Sequence, residues 1–412
     1  RERERKVSEM ADTGIGTIET SVICKREFCS GCGACVNICP RQCIKFEEDE
    51  YGQERPVIEK ERCIECNICR KTCPVNRKKE ELLFRHSQLV YAGWRKEASE
   101  RKTSSSGGVA AVLAEYMVRN RGIVYGVVQM QDNITYQRAE MPEEIRKFRG
   151  SKYVQADQVE IYKQIEQDIC NARKVLVFGS PCLIAGIMSY MDRKNLRDYR
   201  KYLITVDLIC HGNAPQSYFK EHIKEICRKN DTEFDEVTFR SNIPGENYRF
   251  ILKKNDKTVY SRRAESDLYF YAFLSSVSVK ESCVNCTYKG TERCGDITLG
   301  DFIGLGREIS FPVDRTGIHP SLILINSEAG REILKSVEEE LRLFPRTLEE
   351  AVKGGPSLRP EDKSKDSDWV RRRERFKAAY PVLGFEKAAR KSIGDRVRLS
   401  LIKDKVKKIL KR

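Results

Sequence analysis

No stretch of this chain approaches the roughly 18 to 20 consecutive apolar residues that cross a bilayer. The charged start, Arg1–Lys6, also lacks the apolar run that follows in a secretory signal. Together these absences lead to the expectation of a soluble chain in the cytoplasm. No nucleic-acid-binding motif accompanies the positive charge either: 76 Lys and Arg against 61 Asp and Glu give a formal +15, spread along all 412 residues. A nucleic-acid partner is therefore set aside, and the surface is read as one that steers an acidic protein by long-range attraction.

Cysteine is abundant, with 17 residues, most of them at C-x2-C spacings. That pattern fits thiolate metal ligation in a reducing compartment better than a disulfide framework. Cys29-x2-Cys32-x2-Cys35-x3-Cys39-Pro40 is followed by Cys63-x2-Cys66-x2-Cys69-x3-Cys73-Pro74. This is the bacterial ferredoxin run for two 4Fe–4S clusters: three closely spaced thiolates cap one cubane and the fourth crosses to the other. Cys29, Cys32, Cys35 and Cys73 are thus assigned to one cluster, and Cys63, Cys66, Cys69 and Cys39 to the second. Zinc also uses C-x2-C pairs, but it has no need of a fourth ligand shared crosswise. Cys24 and Cys43 fall outside the pattern and are read as unligated. The acidic partner becomes an electron carrier such as a ferredoxin, or a partner redox subunit.

The length suggests two or three domains. Residues 1–22 read as an irregular tail, 23–78 as the ferredoxin domain with two short strands around Tyr51-Gly52, and Arg77–Arg85 as a charged linker. Strands are expected at Leu89–Trp94, Gly122–Met130, Lys174–Phe178 and Tyr202–Ile209, and helices at Gly107–Asn120, Glu160–Asn171, Cys182–Met191 and Gln216–Lys229. Glu236–Arg240, Tyr248–Lys254 and Thr258–Ser261 read as a β-meander, and 366–412 as helical and basic. Asp296 and Asp301 frame one more strand candidate, while Cys170 and Cys227 read as small core residues. The fold class is α+β: a ferredoxin domain, a mixed α/β core divided at 86–170 and 171–350, and a helical extension over 351–412. A basic amphipathic tail can touch an anionic membrane surface, but a solvated helix is the preferred reading here.

Cys182, Cys210, Cys283 and Cys286 lie far apart in sequence but sit at the ends of expected elements, and strand-end loops at one sheet edge can converge. Cys294 is a competing fourth ligand that spacing does not exclude. Ser104-Ser-Ser-Gly-Gly108 opens a helix, where backbone donors can hold a diphosphate, although such a pair of glycines is often only a turn.

The ferredoxin run followed by Ser-Ser-Gly-Gly, Phe148-Arg-Gly-Ser-Lys-Tyr-Val-Gln155, Gly179-Ser-Pro-Cys-Leu-Ile-Ala-Gly186, Asp207-Leu-Ile-Cys-His-Gly212 and Gly295-Asp-Ile-Thr-Leu-Gly-Asp301 resembles the coenzyme F420 hydrogenase/dehydrogenase beta-subunit family, from about Cys29 to Gly306. The resemblance implies a flavin-binding core with FAD, which would exchange single electrons from clusters for hydride chemistry on the deazaflavin F420 or a similar acceptor. It also implies a third 4Fe–4S cluster on Cys182, Cys210, Cys283 and Cys286, and flavin contacts from Ser106, Gly107, Gly108 and Lys152. His211 is the candidate proton donor near the flavin, against the plainer reading of a hydrogen-bonding loop histidine. Two alternatives stand beside the enzyme: a non-catalytic electron-transfer subunit, and an accessory protein of polysaccharide biosynthesis serving a separate enzyme. The direction of electron flow stays open.

Overall fold

The computed structural model describes residues 22–241, 247–311, 319–359 and 362–410; the tail expected over 1–22 lies outside them except for Val22. In the ferredoxin module, β1 (Ile44–Glu48) and β2 (Glu54–Ile58) pair antiparallel from Ile44↔Ile58 to Glu48↔Glu54. Asp49 closes the turn by accepting from the backbone N–H groups of Tyr51 and Gln53, both at 2.9 Å. Gly52 sits there at φ +65°, where a Cβ would stand 2.4 Å from the Tyr380 hydroxyl. Each cysteine run builds a short helix, Ala34–Ile38 and Ile68–Thr72, and each helix stops at the Cys-Pro that follows, since proline offers no N–H.

The segment expected as a linker is anchored. Arg77 reaches Asp192 at 2.8 Å and Ser189 at 3.0 Å, and Leu82 is buried. β3 (Arg85–His86) follows it. An eight-stranded mixed sheet takes β4 (Leu89–Arg95), β5 (Ile123–Met130), β6 (Asn133–Ala139), β7 (Val175–Gly179) and β8 (Leu203–Leu208). The intervening meander is β9 (Glu236–Arg240), β10 (Tyr248–Lys254) and β11 (Lys257–Arg263), and β12 (Glu292–Arg293) pairs with β3. The large sheet is completed by β13 (Ile297–Asp301), β14 (Ser321–Ile325) and β15 (Leu341–Pro345), in the order β15-β4-β14-β13-β8-β7-β5-β6. Strands β13, β8, β7 and β5 run parallel, so their C-terminal ends share one edge. Apolar runs such as Val175–Val177, fully buried, are what strands covered on both faces require.

The expected helices form at Val109–Arg119, Ile161–Cys170, Pro181–Arg193 and Gln216–Asn230. The first starts two residues late because Gly108 occupies φ +84° and is its N-cap. Cys227 is half-buried and packs against the core from its helix, but Cys170 is exposed at the last residue of its own, so the core reading of Cys170 needs correction.

The C-terminal extension is helical, Ser367–Leu410, but it breaks at Gly384 (φ +70°) and folds back as a hairpin. Arg372 pairs with Asp395 at 2.8 Å and donates to the Ser392 carbonyl at 2.7 Å across the two arms. Phe376, Tyr380, Phe385, Ala388, Ala389 and Ile393 are buried against Gln216–Asn230 and the helix Leu268–Leu274. The hairpin is thus a wall of the core, which corrects the reading of a merely solvated helix for its described part. Its charges form the outer face while an aromatic stripe faces inward.

His222 joins this wall to the core. Its Nε2 lies 3.1 Å from Asp267, which also accepts from the Tyr260 hydroxyl at 2.9 Å, and its Nδ1 contacts Glu386 of the hairpin. Burial works against the charged imidazole, but the charges and hydrogen bonds of Asp267 and Glu386 outweigh it and hold His222 up at about 9, from 6.5. Because the folded-state value is raised, the stabilisation is full below about pH 6.5 and is lost as pH climbs through about 9. The loss amounts to about 3 kcal/mol. Denaturation at pH 6 and pH 9.5 is expected to show it in the wild type and not in His222→Gln; a wild type that gains stability over that interval would contradict the arrangement.

Candidate metal centres

Cys29, Cys32, Cys35 and Cys73 line one small cavity in the ferredoxin module, together with Cys24. These are the four that crosswise sharing puts together. In the second set, burial pushes the Cys69 thiol up, and repulsion from the neighbouring Cys39, Cys66 and Cys63 adds to it. Two thiols read as outside the pattern stand directly beside it. Cys24 is within hydrogen-bonding reach of Cys29 and Cys73, and the Cys43 sulfur lies 3.4 Å from that of Cys39. Nothing in their spacing signals this, since the hairpin and the preceding loop bring them in.

A second cavity, at the C-terminal edge of the parallel strands, is lined by Cys182, Cys210, Cys283 and Cys286. Cys182 follows β7 in the first turn of Pro181–Arg193, with its sulfur 3.2 Å from the Ser180 hydroxyl. Cys210 follows β8 directly, at the adjacent strand end. Cys283 lies on the one-turn helix Glu281–Val284, and its sulfur accepts from the Asn213 N–H at 3.3 Å. Burial raises Cys182, Cys210 and Cys286, the last to about 12, as repulsion among the thiols does in turn. Such a group of thiols gains from a cation that takes all four as thiolates. The competing Cys294 is fully buried elsewhere, with its sulfur 3.3 Å from the Pro181 carbonyl. Among the described residues no three Cys, His, Asp or Glu side chains stand close enough to share a single ion; the thiols ring cavities instead.

The other named residues are engaged within the protein. The Ser106 hydroxyl pairs with that of Ser321 at 3.0 Å, and a Cβ on Gly107 would stand 2.3 Å from the Gly93 carbonyl. Lys152 donates into a ring of carbonyls, those of Val127 and Arg149 at 2.9 Å, Phe148 at 3.0 Å and Lys147 at 3.3 Å, and burial lowers its amine to about 7. The loops carrying these residues do meet, with Ser151 N–H on the Ser105 hydroxyl at 2.8 Å. As placed, the polar groups of Ser106 and Lys152 are used within the protein. His211 lines the thiol cavity, but its Nε2 lies 3.2 Å from the Phe273 carbonyl and 3.0 Å from the Ser276 hydroxyl, and burial lowers it to about 4. That is the hydrogen-bonding role rather than a free proton donor. Asp296 is held well below the usual carboxylate range despite its burial, by Arg200, Ser327 and Thr205, and it pins β13 to β8. Asp301 accepts from Arg240 at 2.8 Å and Tyr248 at 3.1 Å, tying the meander to the sheet.

The two cavities approach each other through Gly186, one turn beyond Cys182 on the same helix. A Cβ there would stand 3.0 Å from the Cys32 sulfur and 2.6 Å from the Tyr162 hydroxyl, which itself donates to the Cys32 carbonyl at 2.7 Å. Gly186→Ala is therefore expected to force the ferredoxin module off the helix at about 1–3 kcal/mol. Thermal unfolding of anaerobic protein checks this; a variant as stable as the wild type would show that the approach is loose.

Models of known families match three parts of the chain. The C-terminal model of the coenzyme F420 hydrogenase/dehydrogenase beta subunit matches residues 172–350, and its N-terminal model matches 90–163. A 4Fe–4S dicluster domain model matches 28–77. The chain belongs to the coenzyme F420 hydrogenase/dehydrogenase beta-subunit family. The chain joins a 4Fe–4S ferredoxin domain to a core of mixed α/β architecture. An uncharacterized protein of Methanocaldococcus jannaschii is 30% identical over 233 residues, covering 48% of this chain and 63% of that one. Coenzyme F420-dependent sulfite reductase from the same organism is 23% identical over 355 residues, covering 81% of this chain and 48% of its own length. The chain thus spans less than two thirds of these relatives. A chain of the F420-reducing [NiFe] hydrogenase complex from Methanosarcina barkeri aligns with TM-score 0.46 and 16% identity, over 70% of this chain and 94% of its own. No helix among the described residues is long and apolar enough to cross a membrane.

Proposed function

We propose that this family member relays electrons through three 4Fe–4S clusters. Two are held in the ferredoxin domain, by Cys29, Cys32, Cys35 and Cys73 and by Cys63, Cys66, Cys69 and Cys39; the third is held by Cys182, Cys210, Cys283 and Cys286. The observation that carries this reading is the convergence of the last four, from three separate parts of the chain, on one cavity at the sheet edge. The protein's part is to fix the clusters close together, bury them and set their potentials through charge and hydrogen bonds. The basic surface suits an acidic electron carrier or a partner redox subunit.

In the wider reading FAD, when bound, supplies the conversion between single electrons and a hydride for coenzyme F420 or a similar acceptor. That part rests on family membership, and the domain limits 23–78, 86–170, 171–350 and 351–412 belong to the same proposal. The test is a visible spectrum of anaerobic protein with iron and flavin quantitation. Three clusters' worth of iron is expected; a colourless, zinc-only preparation would sink the relay, and a brown protein without flavin would confine it to one-electron transfer. Steady turnover of a small-molecule acceptor by the isolated chain separates an enzyme from an electron-transfer subunit.

A further inference from the structure

A lysine lies buried between the two nearest sets of cysteines, and neither set uses it as a ligand. Lys280 is 1% exposed, yet it lines the same cavity as Cys182, Cys210, Cys283 and Cys286. Its Nζ donates to the carbonyl of Ser30 at 2.8 Å, inside the Cys29–Cys32 loop of the ferredoxin module. Gly31 presses so close that a Cβ there would stand 2.9 Å from Nζ. At its other end, the Lys280 N–H donates to Asn213 at 3.0 Å and its carbonyl accepts from the Cys283 N–H at 3.0 Å. One residue therefore spans from the first ferredoxin ligand loop to the third ligand set.

A buried ammonium is costly without a nearby negative charge. Among the described residues no carboxylate stands within ion-pair distance of Lys280, and the Ser30 carbonyl takes one of its three protons. Burial lowers its amine; Cys29, Cys283 and Cys182 favour the ammonium, as Glu54 does from beyond ion-pair distance, while Arg55 opposes it. Uncharged thiols would not supply what it lacks. Cubanes held by thiolates would, because net charge at the cluster is one of the terms that set its potential. An electron added to either cluster deepens the attraction, which acts through a low-dielectric interior.

We infer that Lys280 is a positioning residue for electron passage, its ammonium raising the reduction potential of the cluster on either side so that each takes up an electron more readily. One electron leaves one cluster, which is oxidised, and reduces the other; no bond changes and the ammonium keeps its protons. The cluster around Cys63 and Cys66 is excluded from this effect, since within the ferredoxin module the Lys280 ammonium bonds to the Cys29–Cys32 loop and Cys66 is exposed to screening water. The inference rests on the three-cluster reading above.

The test is an EPR-monitored potentiometric titration of the full, cluster-loaded chain as wild type, Lys280→Gln and Lys280→Arg. Glutamine keeps a donor for Ser30 without the charge, and arginine keeps the charge. In Lys280→Gln the reduced-to-oxidised ratio of the two flanking clusters, read at the wild-type midpoint, is expected to fall about tenfold, equivalent to about 59 mV. The potential of the cluster on Cys63, Cys66, Cys69 and Cys39 stays in place, and Lys280→Arg stays near the wild type in all three. Three loaded clusters with unmoved potentials in Lys280→Gln would overturn the inference and leave the relay standing. So would an equal shift of all three, or potentials displaced in Lys280→Arg despite its retained charge, since these assign the lysine to packing. A wild type that lacks the third cluster's iron overturns the relay, and this inference with it.

Discussion

Replacing Cys210 by serine is expected to leave the protein with two clusters in place of three, a loss of about one third of its iron, with the ferredoxin signals intact. The sulfur of Cys210 lies in the cavity at the end of β8, and no part of the ferredoxin module takes it as a ligand. Serine is nearly isosteric, so the sheet should fold around it, but its hydroxyl is a poor substitute for a thiolate toward iron. Cys294→Ser is the matched control. That sulfur is taken up by the Pro181 carbonyl and the Asp207 carboxylate and does not line the cavity, so its loss should cost no iron. Iron quantitation and EPR on both variants decide the matter. Equal iron in Cys210→Ser and wild type would refute the third ligand set, and iron lost from Cys294→Ser instead would move the fourth ligand.

Phe376→Ala is expected to destabilise the fold by about 3–5 kcal/mol, the range for emptying a well-packed aromatic site. The ring is 2% exposed and packs edge-on to Tyr218 at 5.4 Å between centroids, with Phe385 at 5.9 Å across the hairpin. Tyr218 in turn donates to the Tyr51 carbonyl of the ferredoxin turn at 2.7 Å, and Ser217 donates to Gly52 at 2.9 Å. The hairpin thus backs the helix on which the ferredoxin module rests. Chemical denaturation under anaerobic conditions measures the loss. A change below about 1 kcal/mol would mean that the hairpin is a freely solvated appendage, as its charge alone suggests.

The contrast between helix and hairpin shows where local reading stops. Pro381 and Gly384 mark a break in any helix, and the helical propensity and basic character of 366–412 are legible. The inward stripe of Phe376, Tyr380, Phe385, Ala388 and Ile393 is interrupted by that break, so neither arm alone shows a long apolar face. The hairpin closes the face only when the arms meet. The β-meander, by contrast, was readable because its neighbours in sequence are its neighbours in space, β11-β10-β9. β14 and β15 flank β4 in the sheet from more than 200 residues away, and no local pattern announces that pairing.

The sequence by itself set out the two cysteine runs from which eight ferredoxin ligands and their crosswise sharing are proposed. A cubane's geometry is satisfied by spacings of two and three residues, and those are local quantities. It also determined the family, through short motifs. Only the tertiary structure decided that Cys182, Cys210, Cys283 and Cys286 line one cavity and Cys294 does not, because that follows from parallel β7 and β8 ending at one edge and from a helix that returns to it much later in the chain. It alone placed Cys24 and Cys43 beside the ferredoxin ligands and Lys280 between two ligand sets. Those positions depend on how a small module docks on a large sheet, and docking is a property of surfaces that no spacing encodes.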